Sequence, residues 1–168
     1  MELVTMHTHT NYTGHGHGTV EELVSAAERA GISAVAVTEH YPMSKQMDPT
    51  NEVSMAAERV PQYLMDIAAA ANNHPALEVI PGCEVDWLGA QEDRDFTQLD
   101  FSNFIHILGS VHYLDGWAFD DPAEEGRWHD VGVDAVWRRY FEVWCQAASC
   151  PDVPYTCMAH PDLVKKFG

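Results

Sequence analysis

VTMHTHTNYTGHGHGT, residues 4–19, sets four histidines (His7, His9, His15 and His17) within eleven positions, directly after a short apolar run. Side chains at i and i+2 of an extended segment share one side, so His7 and His9 are predicted to point the same way and share a cation. Neutral imidazole binds zinc, manganese or iron readily. An HxH pair alone is weak evidence, so its meaning rests on what closes each later apolar run.

Working outward, ELVTM (residues 2–6) reads as a strand ending at His7, and GTVEELVSAAERAG (18–31) as a helix. Thr19 and Glu22 have capping-box spacing, Val20, Leu23, Val24 and Ala27 form an apolar face, and Gly31 is placed to stop the helix. SAVAVTEH (33–40) is a second buried strand, again ending in histidine. MAAERVPQYLMDIAAAANN (55–73) is helical in composition, firmly so only after Pro61, which removes a backbone donor. ALEVIPGCEVDW (76–87) and NFIHILGSVHYL (103–114) are further strands, the first with Glu84 just past its end and the second carrying His112. DGWAFDDPAEEGRWHDVG (115–132) reads as a functional surface loop. VDAVWRRYFEVWCQAAS (133–149) has a helical stripe, and VPYTCMAHPDL (153–163) supplies a fifth short strand ending at His160. Strands alternating with helices predict a parallel sheet, and each strand is closed by a metal-capable side chain. In barrel-like α/β folds chemistry gathers at that edge.

The 168 residues, 46% of them hydrophobic, predict one domain spanning 1–168. A formal charge of −17 argues against nucleic acid as the main partner. No apolar stretch of about 18 residues and no export signal is visible, which predicts a cytoplasmic protein with no membrane partner. Cys83, Cys145, Cys150 and Cys157 form no CxxC pair and are expected to be reduced packing residues.

HTHTNYTGHG (7–16), TEH (38–40), GCEVDW (82–87), GSVHYLDGWAFD (109–120) and AHPDLVKKFG (159–168), in this order, resemble the motifs of the PHP (polymerase and histidinol phosphatase) superfamily, and the last two its histidinol-phosphatase branch. The resemblance implies a distorted (β/α)7 barrel related to the TIM barrel and two or three divalent ions, with zinc, manganese and iron as candidates. It places His7 and His9 on a first metal, Glu84 between that metal and a second, His112 and His160 on the second, and His15 and His40 on a third. It further implies a metal-dependent phosphomonoesterase, hydrolysing L-histidinol phosphate to L-histidinol and phosphate in histidine biosynthesis. Glu84 and His112 would serve the chemistry, together with hydroxide from water whose pKa the cations lower.

Glu39 and Asp86 are expected to orient ligands rather than bind metal, and His74, His106 and His129 to serve packing or surface roles. His17, Trp117, Asp120 and Lys166 are candidate substrate contacts, an aromatic face and a carboxylate suiting an imidazole ring and an ammonium group. Two alternatives stay open: a PHP phosphoesterase acting on another small phosphate ester, and a truncated metal-binding PHP module without turnover. Members of the family continue to a late Asp-x-His pair that has no counterpart before Gly168. The resemblance therefore implies a barrel incomplete at its C-terminus, with a missing segment or self-association to supply the rest.

Overall fold

The computed structural model describes residues 2–89 and 100–168. The chain divides into two compact units, Met1–Glu84 with Asp100–Ile107, and Val85–Leu99 with Leu108–Gly168.

In the first unit β1 (Leu3–Thr5) pairs parallel with β2 (Ile32–His40), and β2 pairs parallel with β3 (Glu78–Asp86), whose last two residues belong to the second unit, in a register that sets His40 beside Glu84. Parallel neighbours need a crossover, and α1 (Val20–Arg29) and α2 (Val60–Asn73) supply it. The expected capping box of α1 is complete: the Glu22 N–H donates to Thr19 Oγ1 (3.2 Å), and the Thr19 N–H donates to the Glu22 carboxylate (2.7 Å). Gly31 follows at φ +74°, where a β-carbon would be strained. α2 starts one residue before Pro61, because a proline in the first turn forfeits no intrahelical bond.

The helices bury Val20, Val24 and Ala27 of α1 and Tyr63, Ile67 and Ala70 of α2, while β2 contributes Val35 and Val37 to the core. His74 ties the helices together at the surface, with Nε2 2.8 Å from Glu21 and Nδ1 2.7 Å from Glu28. That is the structural role expected of it.

In the second unit β4 (His106–Ser110), whose first two residues belong to the first unit, pairs parallel with β7 (Cys157–Met158), Leu108 beside Cys157 and Gly109 beside Met158. β5 (Tyr113–Leu114) and β6 (Trp117–Ala118) form an antiparallel hairpin, followed by α3 (Gly126–Val131) and α4 (Val133–Ala148).

Four expectations are corrected here. His112 follows β4 instead of lying within a long strand, and Glu84 lies inside β3 rather than past its end. Residues 115–132 are not a plain surface loop. They contain β6, a 3₁₀ turn and α3, and they place Trp117, Phe119 and Trp128 in a core completed by Val136, Tyr140 and Val143 of α4. The Trp128 indole donates to the Phe119 carbonyl (2.7 Å), satisfying a donor that burial would otherwise strand. Of the cysteines only Cys83 is buried; Cys145 and Cys157 are exposed and Cys150 is half-buried, all four as free thiols.

Candidate metal centre

Backbone alternation after β1 builds the first donor set. The Thr8 N–H donates to Thr38 Oγ1 (2.9 Å) and the Thr8 hydroxyl to the Ala36 carbonyl (2.7 Å), so Thr8 faces β2. His7 and His9, on either side of it, face the other way, as their spacing predicts. Their Nε2 atoms are 3.1 Å apart, and both approach Glu84 Oε2, at 2.9 and 3.2 Å. His40, closing β2, brings its own Nε2 to 3.3 Å from the same oxygen. His9, His15 and His40 form an adjoining group, their ligand atoms all within 4.8 Å of one another, as are those of His7, His9 and Glu84.

Three imidazole nitrogens aimed at one carboxylate oxygen suit a divalent cation, which neutral imidazoles and a carboxylate ligate together. The electrostatics agree. Burial opposes charge on His9, yet Glu39 and Glu84 outweigh it and push the imidazole up to about 9, so positive charge is favoured where a cation would sit. His15 is shifted the other way, lowered by burial and by His40 and His9, which keeps its lone pair available.

Glu39, fully buried at the end of β2, is held ionised: burial would raise its pKa, but donors from His9 and Thr10 bring it below the ordinary value. Its Oε1 accepts from the Thr10 N–H and the Thr10 hydroxyl, and its Oε2 from the Thr13 hydroxyl (3.2 Å), with His9 Nδ1 at 3.4 Å. One carboxylate thus orients an imidazole and folds the loop that follows it. The sequence already signals this. A carboxylate inside an apolar strand cannot be buried without partners, and Thr10 and Thr13 supply them.

The same loop closes on itself and on its neighbour, with Asn11 N–H donating to the Gly18 carbonyl (2.8 Å) and Gly14 N–H to the Glu52 carbonyl (3.0 Å). Its opening residues rest on Arg59, whose guanidinium stacks 4.2 Å over the Tyr12 ring, while the Tyr12 hydroxyl donates to Asp66 (2.7 Å). Sequence patterning did not single out Tyr12, Arg59 or Asp66. Their only signal is an aromatic and charges of opposite sign far apart in the chain.

In the second unit His112 and His160 stand with ring centroids 4.9 Å apart. Asp86 Oδ1 lies 2.5 Å from His112 Nδ1, a contact through which a carboxylate can keep a ring proton on Nδ1. The candidate substrate contacts fall out differently. Lys166 Nζ pairs with Asp120 at 3.5 Å, whereas Trp117 is a buried core residue with Arg127 stacked 4.9 Å over its ring. His17 is exposed and stands outside the donor groups found among the described residues. Arg139 is committed to Asp115 (2.5 Å).

Comparison with known proteins agrees with this geometry. The chain is 31% identical over 167 residues to a "Probable histidinol-phosphatase" of Deinococcus radiodurans, covering 99% of this chain and 63% of that protein. A "Probable phosphatase" of Clostridium acetobutylicum is 27% identical over 110 residues, 66% of this chain and 41% of that one. Among solved structures, a "putative histidinol phosphatase" of Listeria monocytogenes superposes with a TM-score of 0.85 at 26% identity, over 98% of this chain and 68% of that chain. A histidinol phosphate phosphatase of Lactococcus lactis, solved with zinc, L-histidinol and phosphate, matches in fold with a TM-score of 0.76 at 16% identity, over 97% of this chain and 59% of that one. The parallel α/β arrangement is therefore that of these phosphatases, of whose curated Deinococcus member the chain spans 63% of the length. With the PHP domain family matching residues 5–167, strand-end histidines included, the chain belongs to the PHP domain family.

Proposed function

We propose that this chain is a metal-dependent phosphomonoesterase whose substrate is L-histidinol phosphate. The observation that carries the reading is the convergence of His7, His9 and His40 Nε2 on a single Glu84 oxygen, within 3.3 Å in each case. His7, His9, Glu84, His15 and His40 would hold cations in the first unit, and His112 and His160 in the second. Bound divalent ions would lower the pKa of water, polarise the phosphoryl oxygens and neutralise charge on the leaving oxygen.

The chain's own residues prepare for this. Glu39 beside His9 Nδ1 and Asp86 beside His112 Nδ1 would keep a proton on those nitrogens, so that a cation displacing the second ring proton would be met by Nε2 of each ring. Glu84 is 1% exposed, which keeps water from competing for its oxygen. Lys166 is paired with Asp120 and Arg139 with Asp115, so in this reading neutralisation of phosphate falls mainly to cations. Asp120, paired with Lys166, keeps a carboxylate that could meet an ammonium group, whereas Trp117 is buried in the core. The names of the relatives support phosphate-ester hydrolysis and, for two of those at 26–31% identity, histidinol phosphate.

The test measures phosphate release from L-histidinol phosphate and from p-nitrophenyl phosphate by protein loaded with zinc, manganese or iron, beside Glu84→Ala. Turnover favouring histidinol phosphate and lost in Glu84→Ala is expected. Equal turnover of both esters would overturn the substrate, and tight metal binding without release from either would overturn the activity in this chain.

A further inference from the structure

His160 is one of three non-glycine residues in the described chain with positive φ, at +24°. A side chain with a β-carbon adopts such a backbone at a cost, and it persists only where its surroundings impose it. Two groups do so. The His160 carbonyl accepts from the Leu163 N–H (3.0 Å) and from the Tyr140 hydroxyl (2.9 Å), while the preceding Ala159 N–H is anchored on the Gly109 carbonyl (2.8 Å). Tyr140 lies on α4 at 0% exposure, its ring centroid 5.4 Å from Phe119 and 5.3 Å from Phe141, so packing fixes where its hydroxyl stands. Packing of the ring alone would be met by phenylalanine. The hydroxyl is the part of Tyr140 that core formation does not explain.

The geometry points to Tyr140 as a positioning residue, whose hydroxyl holds the His160 main chain in the left-handed turn that faces its imidazole toward His112. The turn comes between a strand anchored at Ala159 and the 3₁₀ turn Leu163–Lys165, so without the Tyr140 hydroxyl the carbonyl keeps only the Leu163 N–H, and the backbone is freer to relax toward negative φ and turn the ring away. Tyr140 touches neither substrate nor cation and acts only through His160. The inference rests on reading His112 and His160 as cation ligands, and outer partners of ligating histidines typically contribute about 10–100-fold in metal affinity.

The experiment is a zinc titration of the 168-residue protein carrying ¹⁵N-labelled histidine, followed at each imidazole, with ring signals assigned from single His→Ala variants. Tyr140→Phe keeps the buried ring and removes the hydroxyl. The zinc midpoint read at His160 and His112 is expected to rise about tenfold, while that read at His7 and His9 stays in place. An unmoved His160 midpoint overturns the proposal. So does an equal shift at His7 and His9, which marks general loosening, or failure of Tyr140→Phe to fold, which makes the hydroxyl a requirement of the core. If His160 and His112 do not respond to zinc in the unsubstituted protein, their reading as ligands fails and the proposal with it, an outcome the unsubstituted protein decides alone.

Discussion

Gly16→Ala tests whether the histidine loop is held by close backbone approach. A β-carbon at Gly16 would overlap the Thr10 carbonyl oxygen and stand 2.6 Å from its carbon and 3.0 Å from the Thr10 nitrogen. Ordinary carbon–carbon contact lies near 3.5–4.0 Å and the overlap with the oxygen is the worst of the three, so the loop must move by more than about 1 Å. Thr10 cannot yield easily, because its N–H and hydroxyl are both committed to Glu39. The displacement therefore falls on residues 14–18 and carries His15 with it. Metal–ligand distances tolerate only about 0.2 Å, so under the proposed reading added zinc should no longer be held at His9, His15 and His40, while uptake at His7, His9 and Glu84 persists. Overpacking of this kind costs about 1–3 kcal/mol. Gly31→Ala is the control: Gly31 has φ +74° but nothing within 4 Å of the added carbon, so about 1–2 kcal/mol of backbone strain is expected with zinc uptake unchanged. Zinc stoichiometry and urea unfolding of both variants read these outcomes. Gly16→Ala protein with undiminished zinc and stability would refute the reasoning.

Asp48 is 3% exposed, and although burial raises its pKa, donors from Ser54, Glu52 and Val53 bring the carboxyl below its usual range. A depressed carboxyl stabilises the fold above its unfolded pKa of about 3.9, and that contribution disappears as pH falls through the folded value. Asp48→Asn should cost about 1–3 kcal/mol at pH 7 and progressively less below pH 4; urea unfolding at both pH values checks this, and a constant difference would contradict it. Phe119, at 0% exposure among Trp117, Trp128 and Tyr140, should cost about 3–5 kcal/mol as Phe119→Ala. A loss under 1 kcal/mol by denaturant unfolding would place it in a turn, as its acidic neighbours suggest, and not in a core.

That contrast explains what the sequence could carry. Where one face is buried, patterning is direct: α1 and α4, the β2 strand and the Thr19–Glu22 cap are legible because hydrophobic period and capping chemistry are local. Several of the metal-capable side chains stood out for the same reason, His7, His40 and His160 each following an apolar run. Residues 115–132 were not. Their core is built from three aromatics spaced irregularly among acids, glycines and proline, so no period announces it, and burial is set by packing against α4. β7 was recognised only approximately because a two-residue strand has no period at all. Tyr140 reads as one more apolar helix position, since a hydroxyl that meets a backbone carbonyl 20 residues away leaves no mark in the chain.

Glu39 shows how tightly fold and site are joined. Its Oε1 serves Thr10 and its Oε2 faces Thr13 and His9 Nδ1, so one side chain carries both the loop and the ligand. Glu39→Gln separates them. The amide oxygen can replace Oε1 toward Thr10, and the Thr13 hydroxyl can rotate to accept from the NH2 group. His9 has no such freedom: facing an amide donor, Nδ1 must become the acceptor, and the ring proton moves to Nε2, the atom directed at Glu84. A protonated Nε2 cannot ligate. Glu39→Gln is therefore expected to unfold within about 1 kcal/mol of the unsubstituted protein yet bind zinc about 10–100-fold more weakly, with ¹⁵N shifts reporting the changed His9 tautomer. Equal zinc affinity in a folded Glu39→Gln protein would mean that Glu39 serves the loop alone.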